Sequence, residues 1–102
     1  MDVALTFNNG TTTPSNVFEL YQNEPNPFQG ITTIGFNLPE SGKATLKVYD
    51  AAGRVLRSIE REFAKGYNTV QMTKEDLNAS GVLYYELSTA TESATKKMII
   101  VE

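Results

Sequence analysis

Apolar and polar residues alternate with a period of two along most of this chain. The clearest case is residues 43–49, where Ala44, Leu46 and Val48 alternate with lysine, threonine and tyrosine side chains. A period of two places one set of side chains on the buried face of a β-strand and the other set on a solvent-facing surface. The same pattern predicts strands at residues 17–21, 33–38, 54–61, 67–72, 81–89 and 94–101.

Short turns separate these strands. Asp50 and Gly53 occupy the first and last positions of a four-residue segment, as a type I turn prefers. The alternation slips within residues 54–61, which predicts a β-bulge, and residues 73–77 predict a single helical turn capped by Thr73. About seven short strands with frequent turns are typical of an all-β antiparallel sandwich.

The two ends of the chain depart from this pattern. Residues 3–7 form a short apolar run, followed by nine residues without an apolar side chain. This composition predicts that residues 1–16 are the tail of a preceding domain plus a flexible linker, and that residues 17–102 form the folded domain. Residues 98–101 are apolar at every position, which predicts a strand that is sandwiched or paired deep in a sheet.

A segment with two prolines precedes the first long strand. Pro25 and Pro27 fix their own φ angles and favour extended backbone at the residues before them. The segment is therefore predicted to be a stiff polyproline-like rod that presents Phe28. A loop in which Phe28 closes one end of the sandwich remains the alternative.

Composition excludes several classes of chemistry. The 102 residues include no Cys and no His, so thiol nucleophiles, disulfides and imidazole proton relays are absent. The net charge of −3 does not favour a nucleic-acid partner. Glu60 and Glu62 share one face of a predicted strand, but the flanking Arg57 and Arg61 favour a charge-balanced surface over a carboxylate hydrolase.

Four motifs occur in a fixed order along the chain, and together they carry a resemblance to a known family. The chain resembles, over residues 17–102, the type A C-terminal sorting domain of type IX secretion substrates in Bacteroidetes. The motifs are Asn23-Glu24-Pro25-Asn26-Pro27-Phe28, residues 46–54 (LKVYDAAGR), residues 79–87 (ASGVLYYEL) and residues 96–101 (KKMIIV).

This resemblance implies an immunoglobulin-like sandwich that is not an enzyme and needs no cofactor. Such a domain follows a cargo protein in the same chain, passes through the periplasm and brings the cargo to the cell surface or the extracellular space. Its implied partners are type IX translocon components and a sortase-like protease that removes the domain at the linker. A monomer is expected, with neither nucleic acid nor a small-molecule substrate as partner.

The resemblance also implies site residues. Because Lys96 and Lys97 are neighbours on a strand, they point to opposite faces, and at least one of them faces solvent. The translocon-recognition residues are Lys96, Lys97, Met98, Ile99, Ile100 and Val101; the family-motif residues are Pro25, Asn26, Pro27, Phe28, Asp50, Gly53, Arg54, Gly81 and Tyr84. The cleavage linker comprises Asn9, Gly10, Thr11, Thr12, Thr13, Pro14, Ser15 and Asn16.

A carbohydrate-binding or adhesive module is the alternative function. Tyr49, Tyr67, Tyr84 and Tyr85 are the aromatic residues that could form a stacking platform. Two observations weigh against it: the chain has no Trp, and the alternation turns one of the two adjacent tyrosines inward.

Overall fold

The protein folds into two antiparallel sheets packed face to face, in a computed structural model that describes residues 17–101. The all-β sandwich of seven strands predicted from the alternation is confirmed. The elements are β1 (Glu19–Leu20), β2 (Ile31–Leu38), β3 (Gly42–Asp50), β4 (Val55–Phe63), β5 (Gly66–Thr73), α1 (Lys74–Leu77), β6 (Gly81–Ser88) and β7 (Ser93–Ile100).

The strand order is that of an immunoglobulin-like Greek key. One sheet has the order β1-β2-β5 and the other has the order β4-β3-β6-β7. This arrangement corresponds to the immunoglobulin sandwich with its fourth strand in the second sheet. All strand pairs within the two sheets are antiparallel.

Alternate residues of both sheets meet in one hydrophobic core, as the period of two predicts. Tyr85 is the largest of the side chains that are fully buried there. The residues buried from the long strands are Ile34, Phe36, Leu38, Ala44, Leu46, Val48, Ile59, Val70, Met72, Leu83, Tyr85, Leu87, Met98 and Ile100.

Two local predictions are also confirmed. The β3–β4 register shifts between Val48 and Tyr49, so that Leu56 is the extra residue of a bulge. α1 begins with a capping box, in which the Thr73 hydroxyl accepts from the Asp76 backbone N–H and the Asp76 carboxylate accepts from the Thr73 N–H.

The ends of the sandwich differ from the sequence-based expectation. β1 contains two residues rather than the five predicted, and the chain pairs with β2 again at Glu24. β7 lies at the edge of the four-stranded sheet, so the prediction of a strand deep in a sheet is wrong. The strand predicted at residues 3–7 and the linker lie outside the described residues.

Candidate functional site

β7 divides its apolar side chains between the core and the outer face of the four-stranded sheet. Met98 and Ile100 point inward and are 0% and 2% exposed. Lys97 and Ile99 alternate with them, and both this lysine and Val101 are exposed while Ile99 is half-buried. The apolar run at residues 98–101 therefore places Met98 and Ile100 in the core and Ile99 and Val101 on the outer face, although β7 is an edge strand.

The two lysines of β7 lie on opposite faces, as predicted. Lys97 is exposed and lies directly across from Tyr84. Lys96 lies across from the fully buried Tyr85 and is itself half-buried. A lysine stem can cover apolar surface while its ammonium group reaches water. The outer face of β7 therefore takes its positive charge from Lys97.

The edge of β7 is covered by the segment of residues 22–28. Phe28 forms a parallel bridge with Ile100. The Phe28 N–H donates to the Ile99 carbonyl at 3.0 Å, and the Val101 N–H donates to the Phe28 carbonyl at 2.9 Å. These bonds occupy backbone groups that an edge strand otherwise leaves open to pairing with another chain.

Two side chains extend this cover along β7. Asn26 Oδ1 accepts a hydrogen bond from the Ile99 N–H at 2.9 Å. Gln22 Nε2 donates to the Lys97 carbonyl at 2.6 Å. Together with Phe28, they hold the carboxyl-terminal half of β7 against the rest of the domain.

The expected polyproline-like rod is wrong. The segment does not stand away from the domain, because Glu24 bridges to Thr33 and Phe28 bridges to Ile100. Phe28 is 2% exposed and belongs to the hydrophobic core. The alternative, a loop that closes one end of the sandwich with Phe28, agrees with the structure.

A buried network of hydrogen bonds attaches the loop at residues 22–28 to the core of the sandwich. The Tyr85 hydroxyl donates to the Tyr21 carbonyl at 2.7 Å and accepts from the Asn23 N–H at 2.9 Å. Asn23 Nδ2 donates to Thr32 Oγ1 at 3.0 Å, and both side chains donate to the Pro25 carbonyl. Burial raises the pKa of Tyr85 to about 12, while the Asn23 hydrogen bond opposes that rise.

Asp50, Gly53 and Arg54 form a hydrogen-bonded turn between β3 and β4. Asp50 Oδ1 accepts from the N–H groups of Arg54 (2.9 Å) and Ala52 (3.0 Å), and its Oδ2 lies 3.1 Å from the Arg54 guanidinium. The Arg54 N–H is the main cause of the lowered pKa of Asp50. Gly53 has φ +89°, which a glycine adopts without a steric cost. These residues therefore serve the turn.

The separated sequence motifs meet at one end of the four-stranded sheet. Neighbouring strands place the motif residues opposite one another in three cross-strand rows at this end, and the covering loop lies beside β7. The rows are Asp50–Leu83–Met98, Tyr49–Tyr84–Lys97 and Gly81–Ile100–Phe28.

An aromatic and aliphatic surface covers this end of the sheet on its solvent side. The rings of Tyr49 and Tyr84 stack with centroids 6.2 Å apart and planes at 26°. Val55 and Val82 beside them are 53% and 42% exposed. Sequence reasoning did not single out either valine, although the alternation places Val82 on the face of Tyr84. We define the outer patch as Tyr49, Val55, Val82, Tyr84, Lys97 and Ile99.

The four-tyrosine platform considered for carbohydrate binding is not assembled. Tyr49 and Tyr84 lie in the outer patch, whereas Tyr67 lies on the outer face of the other sheet and Tyr85 is in the core. The sequence could not distinguish the two outer faces, because the alternation shows only which side of its own strand a residue occupies.

The two carboxylates singled out in β4 lie on an exposed, charged surface. Glu60 and Glu62 are exposed on the outer face of β4, and Glu60 pairs with Lys43 at 3.3 Å. Among residues 17–101, no three acidic, His or Cys side chains cluster as metal ligands. The same residues contain no helix of the length and apolarity that a membrane crossing requires.

Comparison with known families identifies the family of this chain. The family model of the secretion system C-terminal sorting domain matches residues 24–101. The chain belongs to this family of type IX secretion sorting domains, which are secretion signals rather than enzymes. Membership implies export to the cell surface or the extracellular space. A search among curated proteins gave no match to the chain.

Proposed function

We propose that this domain is a non-enzymatic export signal whose outer patch is recognised by a component of the type IX translocon. The observation that carries the proposal is that the side chains of β7 alternate between the core and the outer face of the sheet. Met98 and Ile100 are held in the core, and Phe28 covers the strand's edge. What β7 offers to a receptor is its outward face.

Energetics favour recognition of the folded domain over recognition of an extended tail. Removing Met98 and Ile100 from the core would cost about 1.5–3 kcal/mol for each side chain. The hydrogen bonds to Phe28, Asn26 and Gln22 would be lost as well. Binding to the outward face incurs none of these costs.

Of the six residues predicted for recognition, three are therefore proposed as contacts. Lys97, Ile99 and Val101 would touch the receptor together with the stacked tyrosines. Lys96, Met98 and Ile100 would instead hold the strand in place. The family-motif residues of the loop and of the turn would act indirectly, through the fold.

The proposed cargo precedes the domain, and a sortase-like protease would cut between residues 8 and 17. The Val17 carbonyl accepts a hydrogen bond from Asn37 Nδ2 at 2.7 Å, so the chain is attached to the sandwich from Val17 onward. The domain would cross the periplasm attached to its cargo and would act as a monomer.

Surface delivery of a reporter tests the proposal. The full chain is fused behind a periplasmic reporter in cells with an intact type IX translocon, and the surface fraction is measured by protease accessibility. We expect the double variant Lys97→Glu/Ile99→Thr to lower surface delivery at least tenfold and to leave the reporter in the periplasm. Thermal unfolding of the purified variant checks that the fold is kept.

The matched control changes residues of the same types away from the outer patch. Ile31 is 48% exposed on the other sheet and Lys65 is exposed in the β4–β5 turn, so Ile31→Thr/Lys65→Glu should be delivered normally. Equal delivery of the two double variants would contradict the proposal. Deletion of residues 96–102 is a weaker test, because it also removes Met98 and Ile100 from the core.

A further inference from the structure

A second aromatic surface lies on the outer face of the three-stranded sheet, across the sandwich from the outer patch. The ring centroids of Tyr21 and Tyr67 are 6.0 Å apart, with the ring planes at 50°. Tyr67 is 67% exposed, more than any other large apolar side chain among residues 17–101. Core packing therefore does not explain the position of its ring.

Gly35 forms the floor beneath these two tyrosines. A Cβ atom at residue 35 would lie 2.5 Å from the Tyr67 hydroxyl oxygen and 3.0 Å from two of its ring carbons. On the other side, the Tyr21 N–H donates to the Gly35 carbonyl at 2.9 Å. Because residue 35 has no side chain, the Tyr67 ring can rest on the backbone of β2.

Polar residues line the open space beside the Tyr21 and Tyr67 rings. Glu24 is fixed by two backbone hydrogen bonds to Thr33, at 2.9 and 2.8 Å. Gln22 is held by its hydrogen bond to the Lys97 carbonyl. We define the tyrosine cleft as the open cavity of about 310 Å³ lined by Tyr21, Gln22, Glu24, Thr33, Gly35 and Tyr67.

We propose that the tyrosine cleft binds one ring of a neutral pyranose sugar. The C–H face of the sugar would stack on the exposed face of Tyr67. The Glu24 carboxylate and the Gln22 amide oxygen would accept hydrogen bonds from its hydroxyl groups. An aromatic wall combined with a few convergent polar groups is the usual composition of a small-ligand site.

The size and charge of the cleft define the class of sugar. About 310 Å³ lies at the lower end of the range for ligand pockets, which suits a single ring. Glu24 is the only charged residue in the lining, and it makes no ion pair within the described residues. Its negative charge would repel acidic sugars, so a neutral sugar is favoured.

This site is separate from the proposed translocon contact. The tyrosine cleft and the outer patch lie on opposite faces of the sandwich, so a sugar could occupy one while a protein occupies the other. Loss of sugar binding in a Tyr67 variant should leave reporter delivery unchanged. The two proposals can therefore fail independently.

NMR titration of the full chain with methyl β-glucoside, methyl β-galactoside and methyl α-mannoside tests the inference. We expect saturable shifts at residues 21–24, 35 and 67 for at least one of them, with a Kd of about 1–10 mM. Glucuronic acid should bind at least tenfold more weakly. No saturable shift with any of the three neutral glycosides up to about 50 mM would overturn the proposal.

Variants decide whether the tyrosine cleft is the binding site. Tyr67→Ala should weaken binding at least tenfold, whereas Tyr84→Ala, the same change on the opposite face, should leave it unaltered. Gly35→Ala should also weaken binding, because its new methyl group would displace the Tyr67 ring, and Thr69→Ala is its control. Binding that survives both cleft variants would overturn the assignment.

Discussion

The side chain of Asn26 accepts a hydrogen bond from the backbone N–H of Ile99, 73 residues later in the chain. This bond joins the proline-containing loop to the edge of the strand that is proposed to be recognised. Ile99 is also a member of the outer patch. The loop therefore sets the position of the recognised face without needing to touch a receptor itself.

Asn26→Ala should weaken the attachment of the proline-containing loop to β7. Loss of one hydrogen bond of this kind costs about 0.5–1.5 kcal/mol of unfolding free energy. Amide hydrogen exchange should show faster exchange at Ile99. Asn68→Ala, which removes the side-chain bonds to Ala64 and Gly66, should leave exchange at Ile99 unchanged. Faster exchange at Ile99 in both variants would contradict a specific role for Asn26.

Phe28→Ala should destabilise the domain strongly. Truncation of a buried phenylalanine costs about 3–5 kcal/mol, a large part of the 5–15 kcal/mol typical of a whole domain. Urea unfolding measures the loss. Phe28→Leu should lose less because it fills more of the space, and equal losses in the two variants would mean that Phe28 is not packed as described.

Tyr85 should make the domain sensitive to alkali. Its pKa is raised to about 12, so the unfolded chain releases the phenolic proton near pH 10 while the folded chain keeps it. The stability that this residue contributes is complete below pH 10 and is lost toward pH 12, at about 1.4 kcal/mol per pH unit. Urea unfolding from pH 9 to pH 12 measures the slope.

Tyr85→Phe is the control for that slope. It leaves the Asn23 N–H and the Tyr21 carbonyl without the hydroxyl, which should cost about 1–3 kcal/mol at neutral pH. Its stability should then fall less steeply above pH 10 than that of the wild type. Parallel alkaline slopes would contradict the contribution of Tyr85.

Asp50 should contribute to stability only while it is ionised. Its pKa is lowered in the folded state, so the unfolded chain binds the proton at a higher pH than the folded chain. The contribution is therefore present above about pH 4 and is lost as pH falls through the folded-state pKa. The difference in unfolding free energy between wild type and Asp50→Asn should shrink as the pH is lowered from neutral to below about 4. A difference that stays constant over this range would contradict the prediction.

The alternation predicted the strands because each of them has one buried face. Val48 and Tyr49 are adjacent in sequence, yet one lies in the core and the other in the outer patch, as a period of two requires. The capping box of Thr73 and Asp76 could likewise be recognised, because its partners are three residues apart.

What the sequence did not predict depends on contacts between distant residues. Proline fixes its own φ angle, but the path of the loop depends on bonds from Asn26 and Phe28 to β7, which no local pattern contains. β7 resembled an interior strand because its apolar residues alternate between the core and the outer patch. The pairing of Tyr21 with Tyr67 depends on the β1-β2-β5 order of their sheet.

The cover over the edge of β7 has a consequence for damaged chains. If residues 97–101 are lost, the loop at residues 22–28 loses its hydrogen bonds to β7, and the core loses Met98 and Ile100 at the same time. A shortened chain would therefore lack both part of the outer patch and the intact sandwich that holds this patch in place. A receptor that selects for folded shape would reject such a chain without a separate proofreading step.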